Sequence, residues 1–306
     1  MSSVAVTAQT AGKGAARAAA RRRSQGKASG SATRRAGWIV YLILGIALVV
    51  SIFPLYFTLL LGSSDPVSIA QNAIPQWFPD ASIFAQFQEV ITADAINFWK
   101  ALGNSVLIGV VCSLSVVLFS TLAGYSFAKL QFRGRGPLLV FVIATMAVPT
   151  QLGIIPLYIL MSDIGWYGKV QAVIIPGLVT AFGVFWMTQY LSEALPYELI
   201  EAARVDGASM IRTFWSIALP AALPAASMLG LFTFVQQWTN YFWPSIILTN
   251  ENPTLPLVVR SLQANYFVDY SLVMGGIFLV TLPLLVLFAF VGRQLVAGIM
   301  AGAVKG

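Results

Sequence analysis

The stretch Glu201-Ala-Ala-Arg-Val-Asp-Gly-Ala-Ser209, running on to Ile217-Ala-Leu-Pro220, is the most chemically loaded part of the chain. It is polar, punctuated by glycine and set between two long apolar runs. Its chemistry is recognition rather than catalysis. The sequence holds no His and a single Cys, Cys112, inside an apolar run. Ser–His and Cys–His catalysis, His-ligated metals and an intrachain disulfide are therefore excluded. There is no G-x-x-x-x-G-K-[ST] phosphate loop. No catalytic, cofactor-binding or metal-binding residue is expected.

Locally, the stretch encodes a bent pair of short helices. Pro196 suits a first helical turn, so a helix is expected from Tyr197 to Val205. Asp206-Gly207 ends it, with Gly207 supplying the left-handed conformation of a C-cap. Ser209 is placed to cap a second short helix, Met210 to Trp215. Leu219-Pro220 then leads into the next apolar run. Ala202, Ala203 and Ala208 keep the surface shallow, and Glu201, Arg204 and Arg212 rim it. An amphipathic connector on a membrane surface is the plainer interpretation. The ordered set Glu-Ala-Ala, Asp-Gly and Leu-Pro between two spans points instead to a docking loop for another protein.

The elements that must hold this loop follow from composition. Hydrophobic residues make up 58% of the chain, charged residues 9%, and the mean hydropathy is +0.80. Soluble domains carry about 25% charged residues. An all-α, polytopic membrane protein is expected, with six spans at about 38–61, 104–127, 138–161, 170–191, 221–247 and 271–292. Each provides the roughly 20 residues that a bilayer requires. The fifth is the least regular, with Pro220 and Pro224 at its start and Gln236, Gln237, Thr239 and Asn240 in its second half.

Residues 1–36 are rich in Ala, Gly, Ser, Arg and Lys and are expected to be a disordered tail. The transmembrane domain then occupies 37–306, with the polar loop at about 193–220. The tail's eight basic residues, Lys13 to Arg35, read as an orientation signal rather than a lipid ligand. The apolar run after them is too long for a cleaved signal peptide. Of the 18 Lys and Arg, all but Lys100, Lys169 and Arg260 fall on one side of the expected topology. The positive-inside rule puts that side, with both termini and the 193–220 loop, in the cytoplasm. Loop 62–103, with Asp65, Asp80, Glu89 and Asp94 against Lys100, falls outside. The net charge of +7 thus reflects topology and not nucleic acid. No internal repeat stands out, which weakens an inverted-repeat architecture.

With these residues in place, the chain resembles a family. Glu201-Ala202-Ala203, Asp206-Gly207-Ala208-Ser209, Phe214, Ile217 and Leu219-Pro220 resemble the "EAA" loop of ABC-importer permeases. More narrowly, the chain is similar to the second permease subunit of maltose-type carbohydrate importers. Asn104-Ser105, Ala123-Gly124-Tyr125-Ser126-Phe127-Ala128, Phe132-Arg133-Gly134-Arg135, Pro149, Pro156-Leu157-Tyr158 and the closing Gly302-Ala303-Val304-Lys305-Gly306 extend the resemblance from about residue 38 to the last residue.

The resemblance implies a type I ABC-importer permease fold in a bacterial cytoplasmic membrane. It implies that Glu201, Ala202, Ala203, Asp206, Gly207, Ala208, Leu219 and Pro220 couple the chain to a cytoplasmic ATPase, with Lys305 adding contacts. It also implies four kinds of partner. These are a second permease, two ATPase subunits that use the ATP, an extracytoplasmic sugar-binding protein and membrane lipid. Two stretches depart from the family pattern. Trp238-Thr239-Asn240-Tyr241 stands where members often have Trp-Asn-Glu-Phe. Gly165-Trp166-Tyr167-Gly168-Lys169 stands where Gly-Leu-x-Asn-Thr is common.

Polar residues within spans face a cavity or a partner helix. Gln236, Gln237, Thr239 and Asn240 are the candidates for lining a solute path, with interhelical bonding as the alternative for the two glutamines. Tyr241, Phe242 and Trp243 beside them read as an interfacial belt. The segment Ala264 to Tyr270 resembles permeases for cellobiose and related β-glucosides. An ion-coupled secondary transporter is the alternative function; it needs charged groups inside the spans, and none falls there. A polytopic membrane enzyme lacks acid–base groups.

Overall fold

The computed structural model describes residues 37–71, 76–93, 96–265 and 269–303, with backbone alone at 70, 265 and 291–303. The basic tail, Asp94, Tyr266 to Val268 and Lys305 lie outside the described residues. No strand occurs among the described residues. Five helical stretches are long and apolar enough to cross a membrane: Trp38–Gly62, Phe98–Lys129, Gln171–Ala194, Met210–Ile247 and Tyr270–Phe290. Arg135–Thr145 and Thr150–Asp163 together are apolar enough to make a sixth, as a pair bent by 88° in the manner of a broken span or a re-entrant loop.

The chain divides at Pro54 into two compact units. In the first, Trp38 to Phe53 is helical and exposes every side chain. An apolar surface of that extent has to be covered by something other than water.

In the second unit the long helix Phe98–Lys129 is central. It packs on Ala181–Ala194 and on Leu219–Trp238, which also touch each other. Gly124 permits the closest approach. A Cβ there would lie 2.7 Å from the backbone of Met187, so the Ala123-Gly124-Tyr125 motif sets how tightly the second and fourth spans cross. Ala218, Ala222, Ala225 and Ala226 give the fifth span a small, buried face against Val116, Tyr125, Met187 and Leu191. A second core joins Ser82–Thr92, Leu255–Asn265 and the last span through Val90, Trp238, Leu262 and Leu272. Asn104 and Ser105 belong to this end. Asn104 donates to the Pro253 carbonyl (2.8 Å), and the Ser105 hydroxyl accepts the Leu255 amide (2.9 Å). That amide opens a helix and has no partner within it.

The structure corrects several expected boundaries. The second span begins at Phe98, ahead of the expected start at 104. The third is broken where Pro149, without an N–H, ends one helix and a 3₁₀ turn at Thr150–Gly153 starts the next. The fourth breaks at Pro176-Gly177 and restarts when the Thr180 hydroxyl accepts the Gly183 amide (3.1 Å). The fifth does not begin at Leu219-Pro220. Helix continues from Met210 through one π turn, Phe214–Ala218, into Leu219–Trp238. The π turn explains why Pro220 causes no break: the Leu219 amide bonds back to Phe214, and the pairing that Pro220 cannot make is skipped. The sixth span matches the expected 271–292, at Tyr270–Phe290, and its helix runs on to Ala303.

Candidate functional site

The polar loop folds as a helix, Tyr197–Val205, and a tight turn into Met210–Thr213. Glu198 in its first turn and Arg204 in its last suit the helix dipole. The end of the helix is a Schellman motif. The Ala208 amide bonds to the Ala203 carbonyl (2.9 Å), the Gly207 amide bonds to the Arg204 carbonyl (3.0 Å), and Gly207 has φ +77°. A Cβ at Gly207 would meet no atom within 4 Å. The glycine is therefore required by backbone conformation and not by crowding. Ser209 caps the following helix, its hydroxyl accepting the Arg212 amide (3.3 Å).

Both ends of this element are fixed to the bundle. Ile200 and Phe214 are buried in the core with Met187 and Leu191, and the Phe214 ring lies 6.0 Å from that of Tyr125. The Tyr197 hydroxyl donates to the Ala128 carbonyl (3.2 Å). Between these anchors the outer surface is free. Glu201, Ala202, Arg204, Asp206 and Gly207 are exposed. Val205 is 88% exposed, the most exposed of the large apolar side chains described.

The structure does not bring all the expected docking residues to one surface. Ala203 is buried and turned toward the bundle, Ala208 is half-buried, and Leu219 and Pro220 lie inside the continuous fifth helix. Sequence reasoning passed over the anchors Ile200 and Tyr197 and the outward Val205. Their signal was the period of the short helix: Ile200 and Ala203 are three apart and share its buried face.

The four polar residues of the fifth span separate. Gln236 is exposed. Gln237 points at the break in the fourth span, where a Cβ on Gly177 would lie 3.1 Å from its Nε2. Its buried Oε1 has no hydrogen-bond partner. The carbonyls freed by that break are met by the second span, with the Ser115 hydroxyl donating to Leu178 (2.9 Å). Thr239 lines a cavity of about 420 Å³ with Trp238, Tyr241, Arg260, Gln263 and Thr281. Asn240 is half-buried in the irregular turn before Phe242–Ile247. Of the expected belt, Trp243 is a packing residue: its ring N–H donates to the Ala172 carbonyl (3.0 Å). Tyr241 and Phe242 are exposed. Among the described residues, no three His, Cys, Asp or Glu are grouped to hold a metal.

The helical bundle with its anchored surface helix has the fold of an importer permease. A solved bacterial ABC transporter that imports the acidic polysaccharide alginate has the same fold. It aligns with a TM-score of 0.70 at 22% identity, over 84% of this chain and 95% of that one. The chain belongs to the family described as binding-protein-dependent transport system inner membrane component, which it matches over residues 117–297. It is 34% identical to the lactose transport system permease protein LacG of Rhizobium radiobacter, over 87% of this chain and 96% of the relative. It is 29% identical to the arabinooligosaccharides permease AraQ of Halalkalibacterium halodurans (88% and 96% covered). It is also 29% identical to the diacetylchitobiose uptake permease DasC of Streptomyces coelicolor (88% and 96%). The chain is thus a multi-pass inner-membrane permease of an ABC importer, a transport subunit that works with an ATPase and a substrate-binding protein.

Proposed function

We propose that the chain forms half of the translocation pathway for a sugar or short oligosaccharide, paired with a second permease. The Tyr197–Thr213 element faces the cytoplasm with both termini and seats in one of two ATPase subunits. ATP is bound and hydrolysed there and not on this chain. The observation that carries the docking role is Val205, an apolar side chain 88% exposed and ringed by exposed Glu201, Arg204 and Asp206. Charges of that density are costly in lipid, and an apolar tip among them gains by being covered. Closure of the ATPase pair then moves an element held at both ends, and the spans follow as rigid bodies. The sugar relatives support the substrate class. Thr239 and the Trp238–Tyr241 cavity are the part of this chain offered to a solute; Gln236, Gln237 and Asn240 lie apart from its lining and would join the path only on other faces of the fifth span.

Uptake of labelled sugars into right-side-out vesicles tests the proposal, with binding protein supplied outside and ATP inside. Cellobiose and other glucosides are the first to try. Uptake is expected to stop when ATP is withheld and to survive collapse of ion gradients; the reverse pattern would favour an ion-coupled carrier.

A further inference from the structure

Lys129 is the last residue of the second span and is only 5% exposed. A buried ammonium is costly unless its protons find partners. Here Nζ donates to the Ser192 carbonyl (2.9 Å) and lies 4.6 Å from the centre of the Tyr197 ring. Ser192 is in the last turn of Ala181–Ala194, where carbonyls lack helical partners. The ammonium therefore sits at the C-terminal ends of two spans, each the negative end of a helix dipole. It also sits on the negative face of an aromatic ring. That ring belongs to the first residue of the Tyr197–Val205 helix. Tyr197 returns the link by donating to Ala128, whose carbonyl also receives the Arg135 guanidinium (3.3 Å). Three elements thus meet at one cation: the second span, the fourth span and the surface helix.

We infer that Lys129 is a positioning residue for energy coupling, clamping the Tyr197–Val205 helix to the ends of the second and fourth spans so that the three move as one body. The inference rests on the docking role proposed above. An apolar residue at 129 would fill the space, but it would bind neither the carbonyl nor the ring with direction. The surface helix would then turn about its remaining anchors when pushed, and the push would be lost before it reached the spans.

The test uses the assembled transporter with its ATPase and binding protein in proteoliposomes. Spin labels at Gln131→Cys and Glu198→Cys, both exposed positions, report the distance between the end of the second span and the surface helix. One narrow distance, unchanged between nucleotide-free and ATP-bound states, is expected for the wild-type pair. Lys129→Met is expected to broaden it and to lower binding-protein-stimulated ATP hydrolysis about tenfold, within the range of linkage between coupled sites. Lys129→Arg, which keeps the charge and the stacking, is expected to restore both. Should Lys129→Met fail to insert, Tyr197→Leu removes the ring and carries the same expectation. A wild-type distance that shifts with nucleotide overturns the inference. So does a distribution in Lys129→Met or Tyr197→Leu as narrow as the wild type. Cross-linking of Val205→Cys to the ATPase in the otherwise wild-type protein separates the two proposals: its absence removes the docking role, whatever the distances report.

Discussion

Two interruptions in the helical bundle are built in opposite ways. Between Val205 and Ser209 the backbone is closed on itself by a Schellman pair and a serine cap, and the side chains point outward. Between Trp238 and Phe242 the backbone loosens into single bonds such as Asn240 to the Gln237 carbonyl (3.3 Å), and the side chains divide between exposed Tyr241 and the polar residues beside it. Gln237 turns to Gly177 and Thr239 to a cavity. The first interruption is rigid and offers a fixed surface. The second keeps polar groups in reserve, including a buried amide oxygen without a partner. Rigidity lies where force would enter, and slack lies where a solute or neighbour would have to be accommodated.

The largest effect is expected at the rigid turn. Gly207→Asp should abolish transport while the protein inserts in normal amount. Nothing crowds a Cβ there, and the left-handed strain costs only about 1–2 kcal/mol, so the loss would come from the blocked surface. Transport and membrane abundance measured side by side check this; loss of abundance would move the effect from docking to folding. Val205→Asp comes next. It should weaken ATPase association by a factor of about thirty, the scale of a central interface residue, in a pull-down titrated with ATPase subunit.

The slack region should respond less. Thr239→Val removes a hydroxyl from the cavity and is expected to change the apparent affinity for sugar about tenfold or less, since one hydrogen bond contributes about 1 kcal/mol. ATPase association should hold, and a loss of association as large as that of Val205→Asp would erase the contrast between the two regions. The smallest effect is expected from deleting residues 1–30. Transport should persist if the tail acts only in orientation; loss with normal insertion would give the tail a further role.

The turn was legible in the sequence because its signals are local. Pro196, Asp206-Gly207 and Ser209 each dictate a dihedral or a cap within a few residues. The family resemblance rested on the same stretch and on Ala123-Gly124-Tyr125, whose glycine lets two spans meet. The breaks in the third and fourth spans were not legible. Hydropathy is the same for a straight span and for one bent at Pro149, and proline alone does not say whether a helix kinks or stops. The backward extension of the fifth span was hidden for a related reason. Pro220 reads as a helix start, yet helix runs through it from a π turn at Phe214–Ala218. The inward turn of Gln237 and the anchor at Lys129 depend on which helices are neighbours, and that is a property of packing and not of any one segment.

The most direct measurement is disulfide cross-linking at the exposed tip. Cys112 is the chain's single cysteine and is buried, so Cys112→Ala clears the background. Val205→Cys is then paired with single cysteines on the ATPase surface, and Leu152→Cys, exposed on the third span, serves as the control. The account predicts a cross-linked product with the ATPase for Val205→Cys, more of it when ATP closes the dimer, and none for Leu152→Cys. A transporter that imports its sugar at the normal rate yet yields no Val205→Cys product would contradict it.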